Sequence, residues 1–272
     1  MKSRNELELM AKDMRRDAYK MAYNSGTKGA HLGGGMSVVE ILAVLYGAIM
    51  KYDVSNPSWE ERDRLIMSKG HGGISLYAAL KNVGYLSQEE IDGALHGDSD
   101  YYEHPRKNID KGIEFSGGSL GQGLSFAAGM ALGLSKRSND KSRVYVILGD
   151  GECDEGSVWE AAASVIHFGL KQITVIIDLN GLQYDGSTEH IMRLGNMRSR
   201  WESIGYDVFE VDGHDVLALQ DVFRKESEKP QVVIAHTVKG KGMSFAENRV
   251  EWHTAYLTEE LYRQALKELE IC

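Results

Sequence analysis

Residues 144–186, VYVILGDGECDEGSVWEAAASVIHFGLKQITVIIDLNGLQYDG, constrain the fold more than any other part of the chain. Val144 to Leu148 is a short, apolar, β-branched run that halts at Gly149-Asp150-Gly151, the pattern of a buried strand followed by a tight turn. The two glycines permit a sharp reversal and a close approach of backbone to a ligand. Val158, Ala161, Ala162, Val165 and Ile166 then recur at helical spacing, with Asp154 or Ser157 placed to cap the helix. Ile173 to Ile177 is a second buried strand, ended by Asp178, Asn180 and Gly181. Strand, helix and strand in this order predict a parallel βαβ crossover. Both polar loops then fall at the carboxyl ends of the strands, where open α/β sheets hold their ligands.

The chemistry of these loops narrows the ligand. Asp150 offers a carboxylate, Asn180 an amide oxygen, and the turn near Leu182 a backbone carbonyl. Three protein oxygens leave room for two phosphate oxygens and a water around a six-coordinate Mg²⁺ or Ca²⁺. The turn is neither the GxGxxG of a dinucleotide fold nor a P-loop ending in GK[ST].

The remaining chain supplies further strands and polar loops. Residues 3 to about 24 predict an amphipathic helix with Leu7, Met10, Met14, Ala18 and Met21 on one face, stopped at Asn24-Ser25-Gly26. KGAHLGGGMS (28–37) predicts a flexible glycine loop that projects His31 into a cavity, with Ser37 capping the next helix. Asp63 to Met67 is a strand leading into SKGHG, where His71 sits at a helix start suited to a phosphate. A short helix over 87–98 precedes a long polar, aromatic loop containing His104, of a length that in a compact domain usually signals function or disorder. Glycines 117, 118, 121 and 123 open a helix rich in small residues. Two readings stand there: a packing device, or a backbone wall in which Ser119, Leu120 and Gly121 meet a flat ring. Leu194 to Ile204 predicts a helix, Asp207 to Val211 a strand, Asp212–Asp215 a turn capping a helix to about Glu226, and Gln231 to Ala235 a last strand. The glycine-rich loop 236–242 carries Lys239 and Lys241, for which solvated side chains are the ordinary expectation. His253 follows Trp252, and a final helix covers TEELYRQALKEL. Four or five parallel strands separated by helices predict one doubly wound, mostly parallel α/β domain over 1–272.

A net charge of −9 argues against nucleic acid, and no stretch approaches the roughly 18 apolar residues of a membrane span. Lys2, Arg4, Glu6 and Glu8 interrupt any amino-terminal apolar run, so no secretory leader is expected. The two cysteines, Cys153 and Cys272, make no zinc or redox spacing, and Cys153 is expected to fill space. A reducing cytoplasm is the expected compartment.

HLGGGMS, SKGHG, EHPR, GGSLGQG, GDGECDEG, DLNGLQYDG, HTVKGKG and WH fall in the order found in the amino-terminal half of transketolases, and the chain resembles that family over nearly its whole length. The resemblance implies a thiamine diphosphate-binding fold of the diphosphate type. It places Mg²⁺ (or Ca²⁺) on Asp150, Asn180 and the Leu182 carbonyl. His71, Gly149, Gly151, Glu152 and His253 would lie near the diphosphate, and Ser119, Leu120 and Gly121 near the aminopyrimidine. His31, His71, His104 and His253 would line the substrate channel as proton-transfer and hydroxyl-binding groups. Glu155 matches a family glutamate at the subunit interface that communicates with the cofactor. The family carries a second, pyrimidine-binding domain for which this chain has no room. The resemblance therefore implies a split transketolase, α₂β₂ with a separate carboxy-terminal subunit, moving a two-carbon ketol unit from a ketose phosphate to an aldose. Departures occur at HLGGG where HPGG is usual, at WHTAYL where WHGKAP is common, and at DLN where DNN is usual. They bear on which sugar is used. Two alternatives stand beside this reading: the α subunit of a 2-oxo acid dehydrogenase E1 or another thiamine diphosphate synthase, and a non-catalytic cofactor-binding module.

Overall fold

The computed structural model describes residues 2–271. Helix α1 (Arg4–Asn24) opens with a capping box in which Ser3 and Glu6 satisfy each other's backbone N–H groups, and it buries Leu7, Met10, Met14, Ala18 and Met21. Short helices α2 (Leu32–Met36) and α3 (Val39–Val44) follow, then strand β1 (Arg64–Met67). Helices α4 (Gly73–Asn82), α5 (Gln88–Gly93) and α6 (Gly123–Lys136) precede β2 (Val144–Gly149). Helix α7 (Gly156–His167) leads to β3 (Ile173–Leu179); α8 (Thr188–Ile191) and α9 (Met197–Ile204) lead to β4 (Asp207–Asp212). Helix α10 (Val216–Phe223) leads to β5 (Gln231–His236), and α11 (Glu259–Ile271) closes the chain.

All five strands are parallel, in the order β1-β2-β3-β5-β4. Alternate side chains of each strand enter two separate cores, as the period of two requires. Val144, Val146 and Leu148 join Ile173, Val175 and Ile177 under α6, α7 and α9. Tyr145, Ile147 and Ile176 face the opposite layer, built from α1, α3, α4, α10 and α11. The chain leaves β1 and β5 toward this second layer, and β2 and β3 toward the first. That divergence opens a crevice along the carboxyl edge of the sheet. No helix among the described residues is long and apolar enough to cross a membrane.

Several local expectations are corrected. Residues 32–36 are not a flexible loop: they form the buried helix α2, and His31 precedes it. Ser37 does not cap α3. Its hydroxyl donates to Gly34 O (3.0 Å) and to Asp178 Oδ2 (2.7 Å), a bond across 141 positions that outweighs a local cap. Neither Asp154 nor Ser157 caps α7; Asp154 accepts from Gln183 Nε2 (2.6 Å) and Ser157 donates to Gly121 O (2.9 Å). Helix α9 starts at Met197, capped by Asn196 rather than opening at Leu194. Asp215 does cap α10, which stops at Phe223. Cys153 is buried, with its thiol pushed well up by burial, and fills space beneath the turn; Cys272 lies outside the described residues.

Candidate functional site

The loops leaving β1, β2, β3 and β5 enclose a cavity of about 180 Å³ at the carboxyl edge, with Lys69, His71, Asp150, Asn180, Lys239 and His253 among its walls. The β1 and α6 loops approach so closely that a Cβ on Gly70 would lie 2.8 Å from the Gly118 nitrogen, so only glycine fits there.

The three expected oxygen donors come together. Asp150 is buried, and its Oδ1 and Oδ2 accept from Gly151 N (2.8 Å) and Gly181 N (2.6 Å). Burial and the neighbouring Asp178 carboxylate push its pKa up to about 6, against the pull of those amides and Lys69. Asn180 Oδ1 accepts from Leu182 N (3.1 Å), and the Leu182 carbonyl accepts from Lys239 Nζ (2.9 Å). The described residues contain no cluster of three His, Cys, Asp or Glu side chains that could hold a metal. The donor set is instead one carboxylate, one amide and one carbonyl, all oxygen, which suits a hard cation. The Lys239 ammonium already rests against one of these donors, the Leu182 carbonyl, and also donates to Gln183 O (3.1 Å).

Lys239 corrects the expectation of a solvated lysine: it is 2% exposed. Burial and the nearby Lys69 ammonium lower its pKa to about 8, opposed by Asp150 and Asp178. Beneath the cavity lies a second feature that sequence reasoning missed. Lys69 and Asp178 form a fully buried ion pair across 109 positions. Lys69 also donates to Gly34 O (2.7 Å), while Asp178 accepts from Ser37, from Asn180 Nδ2 (3.0 Å) and from Thr237. Burial opposes its charge, but Lys69 and these donors hold the Asp178 carboxyl below its ordinary range. A lysine and an aspartate in two polar motifs were the available signal; their pairing was not.

Glu152, expected beside the diphosphate, lines the cavity, but its oxygens are taken by three segments. It accepts from Ser68, Gly121 N (2.8 Å) and Gly149 N (3.1 Å), fastening three loops together. Leu120 also lines the cavity, whereas Ser119 and Glu155 are exposed and do not.

The four histidines, drawn from loops spread over more than two hundred residues, converge. The His31 ring lies 5.3 Å from those of His104 and His253 and 5.7 Å from His71; His71 and His253 are 5.2 Å apart. Burial, His104 and the lysines lower His31 to about 4, and burial, Lys239 and His31 lower His253 to about 3. His71 falls well below its ordinary value, first from burial and then from Lys69. These three rings are neutral at pH 7. The His31 Nδ1 is 2.7 Å from Glu103 Oε1 but misaligned, so this buried atom makes no hydrogen bond within the chain.

Fold and cleft together define a doubly wound α/β domain with an oxygen- and histidine-lined cavity at its carboxyl edge. Residues 11–270 match the family described as transketolase, thiamine diphosphate binding domain, and the chain belongs to that family. It is 40% identical over 243 residues to the 6-deoxy-6-sulfo-D-fructose transketolase subunit SqwG of Clostridium sp. (strain MSTE9), covering 88% of each chain. It is 38% identical over 266 residues to an apulose-4-phosphate transketolase subunit of Phocaeicola vulgatus, covering 97% of this chain and 93% of that one. Among solved structures, Campylobacter jejuni transketolase superposes with a TM-score of 0.90 at 29% identity, over 99% of this chain and 43% of that chain. Leishmania mexicana transketolase gives 0.89 at 28%, over 99% and 42%. The chain thus spans about two fifths of the solved transketolases but most of the length of the subunit relatives. It is a transketolase-type thiamine diphosphate enzyme, a transferase, and the 2-oxo acid dehydrogenase alternative is set aside.

Proposed function

We propose that this chain is the diphosphate-binding subunit of a two-chain transketolase that moves a two-carbon ketol unit from a ketose phosphate to an aldose. A separate carboxy-terminal subunit would carry the pyrimidine-binding domain, in an α₂β₂ assembly whose active site forms at the junction. The observation that carries this reading is the cavity where Asp150, Asn180 and Leu182 offer oxygens beside four clustered histidines. The names of its relatives support two-chain organisation, since those proteins are themselves called subunits and have about this length.

The residues fit the implied groups. Asp150, Asn180 Oδ1 and the Leu182 carbonyl would hold Mg²⁺ (or Ca²⁺), leaving its other positions to phosphate oxygens and water. A cation there would neutralise the Asp150 carboxylate that burial and Asp178 now disfavour. The Lys69–Asp178 pair would hold Asn180 at the correct height through the Asn180 Nδ2 bond. Lys239, His71 and Gly151 would face the diphosphate, and Leu120 and Gly121 the aminopyrimidine. Thiamine diphosphate, when bound, supplies a nucleophilic carbon that accepts the ketol unit. The rings of His31, His71, His104 and His253 would bind sugar hydroxyls and carry protons to and from them. Sugars of the kinds named for the relatives, a sulfonated deoxyketose or a branched ketose phosphate, are the first donors to try.

Calorimetry of thiamine diphosphate with Mg²⁺ tests the proposal. Weak binding by this chain alone, and tight binding after mixing with the partner, is the expected result; Asp150→Ala should abolish metal-dependent binding in the mixture. Absence of binding by both preparations, with both chains folded, would refute a cofactor role for the cleft. Tight binding but no turnover of any ketose would refute the transfer of a ketol unit from a ketose.

A further inference from the structure

The loop that delivers Lys239 to the cavity is held from behind by a chain of buried charged groups that none of the site chemistry uses. Arg15 of α1 and Glu40 of α3 form a buried ion pair, with Arg15 Nη2 2.9 Å from Glu40 Oε2. Burial opposes the Glu40 charge, but Arg15 and His214 lower its pKa to about 2. His214, in the turn after β4, has its Nδ1 2.9 Å from Glu40 Oε2, and its Nε2 accepts the Val238 N–H at 2.9 Å. Because Nε2 accepts, the ring proton resides on Nδ1 and is donated to Glu40. The same loop is tied at Lys241 O by Arg15 Nε (3.3 Å), at Gly242 O by Tyr19 (2.9 Å) and at Gly240 N by Gly33 O (2.9 Å). Gly213 lets His214 come this close: its N–H donates to His236 O (2.8 Å), and a Cβ there would collide with the Thr237 side chain.

Val238 is the residue before Lys239, whose Nζ reaches Leu182 O, Gln183 O and His253 Nδ1 (3.0 Å). We infer that His214 is a positioning residue for Lys239: anchored on Glu40 and Arg15, it fixes the Val238 amide and so sets where the Lys239 ammonium stands in the cleft. The charge network at the interface of α1, α3 and the β4–α10 turn thereby controls a group that would face the diphosphate, a consequence that rests on the proposed cofactor.

The two faces of the ring allow a separation by substitution. His214→Asn keeps a donor near Nδ1 for Glu40 but cannot reach Val238; His214→Gln places an acceptor near the Nε2 position. Hydrogen exchange on the full chain without cofactor should show the amides of Val238, Gly240 and Lys241 opening faster in His214→Asn and at about the native rate in His214→Gln. In the chain mixed with its partner, His214→Asn should weaken thiamine diphosphate binding about tenfold, the loss of one well-placed charged contact. His214→Gln should restore it, and His214→Asn should add nothing in a Lys239→Met background, the signature of action through that lysine. Unchanged exchange in His214→Asn overturns the inference, as does an equal, additive loss in the Lys239→Met background. If the wild-type mixture binds no thiamine diphosphate, the proposed function fails, and the exchange result alone decides whether His214 holds the loop.

Discussion

Asp178→Asn tests the account of the cleft floor most directly. Asp178 is fully buried and its charge is matched by Lys69, itself 1% exposed. Asparagine has nearly the same volume, so no cavity opens and the packing term is close to zero. The cost is electrostatic: an ammonium is left buried without its partner, worth about 3–5 kcal/mol. Ser37, Thr237, Asn180 and Lys69 all donate to this carboxylate, and an amide nitrogen would turn at least one of them into an unpaired donor. Hydroxyl rotation relieves part of that, so about 3–5 kcal/mol stands as the whole effect. This is a large part of the roughly 5–15 kcal/mol of a typical domain, and at about 2–4 °C per kcal/mol it lowers Tm by roughly 6–20 °C. Urea unfolding without cofactor, followed through tryptophan fluorescence, to which buried Trp201 contributes, measures it. The double variant Lys69→Met/Asp178→Asn should be more stable than Asp178→Asn alone, because the unpaired ammonium is gone. A loss below about 1 kcal/mol in the single variant, or additive losses in the double, would refute the ion-pair reasoning.

The histidine cluster predicts a pH dependence of stability. His31 and His253 titrate at about 4 and 3 in the folded chain, and near 6.5 once unfolded. Between these values the unfolded state holds more protons, so their contribution is complete above about pH 6.5 and falls as pH drops toward 4. Asp150, raised to about 6, works in the opposite direction over about pH 6 to 4. The difference between wild type and His31→Asn isolates the ring: as pH drops from 8 to 4, urea midpoints should fall less steeply in the variant, and identical slopes would show that His31 is not held neutral. His104→Ala should leave cofactor affinity within about twofold and reduce ketose turnover; loss of cofactor binding would remove His104 from the substrate channel.

Much of the site was legible because its chemistry is local. Asp150 and Asn180 follow adjacent strands, so recognising two buried β-branched runs was enough to bring their side chains to one edge. The four histidines were legible as a set only through the order of their motifs, since nothing local to His31 or His253 says that their rings meet. Lys239 was misjudged for the same reason. A lysine beside glycine reads as solvated, yet the backbone of residues 182 and 183 covers it. Gly33, Gly34 and Gly35 read as a flexible loop, yet close packing makes them helix: Cβ atoms there would meet Trp252, His71 and Ile74 within 3 Å.

By itself the sequence determined most of the elements, the parallel α/β class and the oxygen-bearing residues at the strand ends, because these depend on apolar period and turn chemistry within a few residues. Tertiary structure alone decided the strand order β1-β2-β3-β5-β4, the pairing of Lys69 with Asp178 and the route from Arg15 through His214 to the Lys239 loop. The physical reason is that a buried charge is tolerable only where a partner stands within hydrogen-bond reach. Which residues stand there is set by how separate strands and helices pack, not by their spacing along the chain.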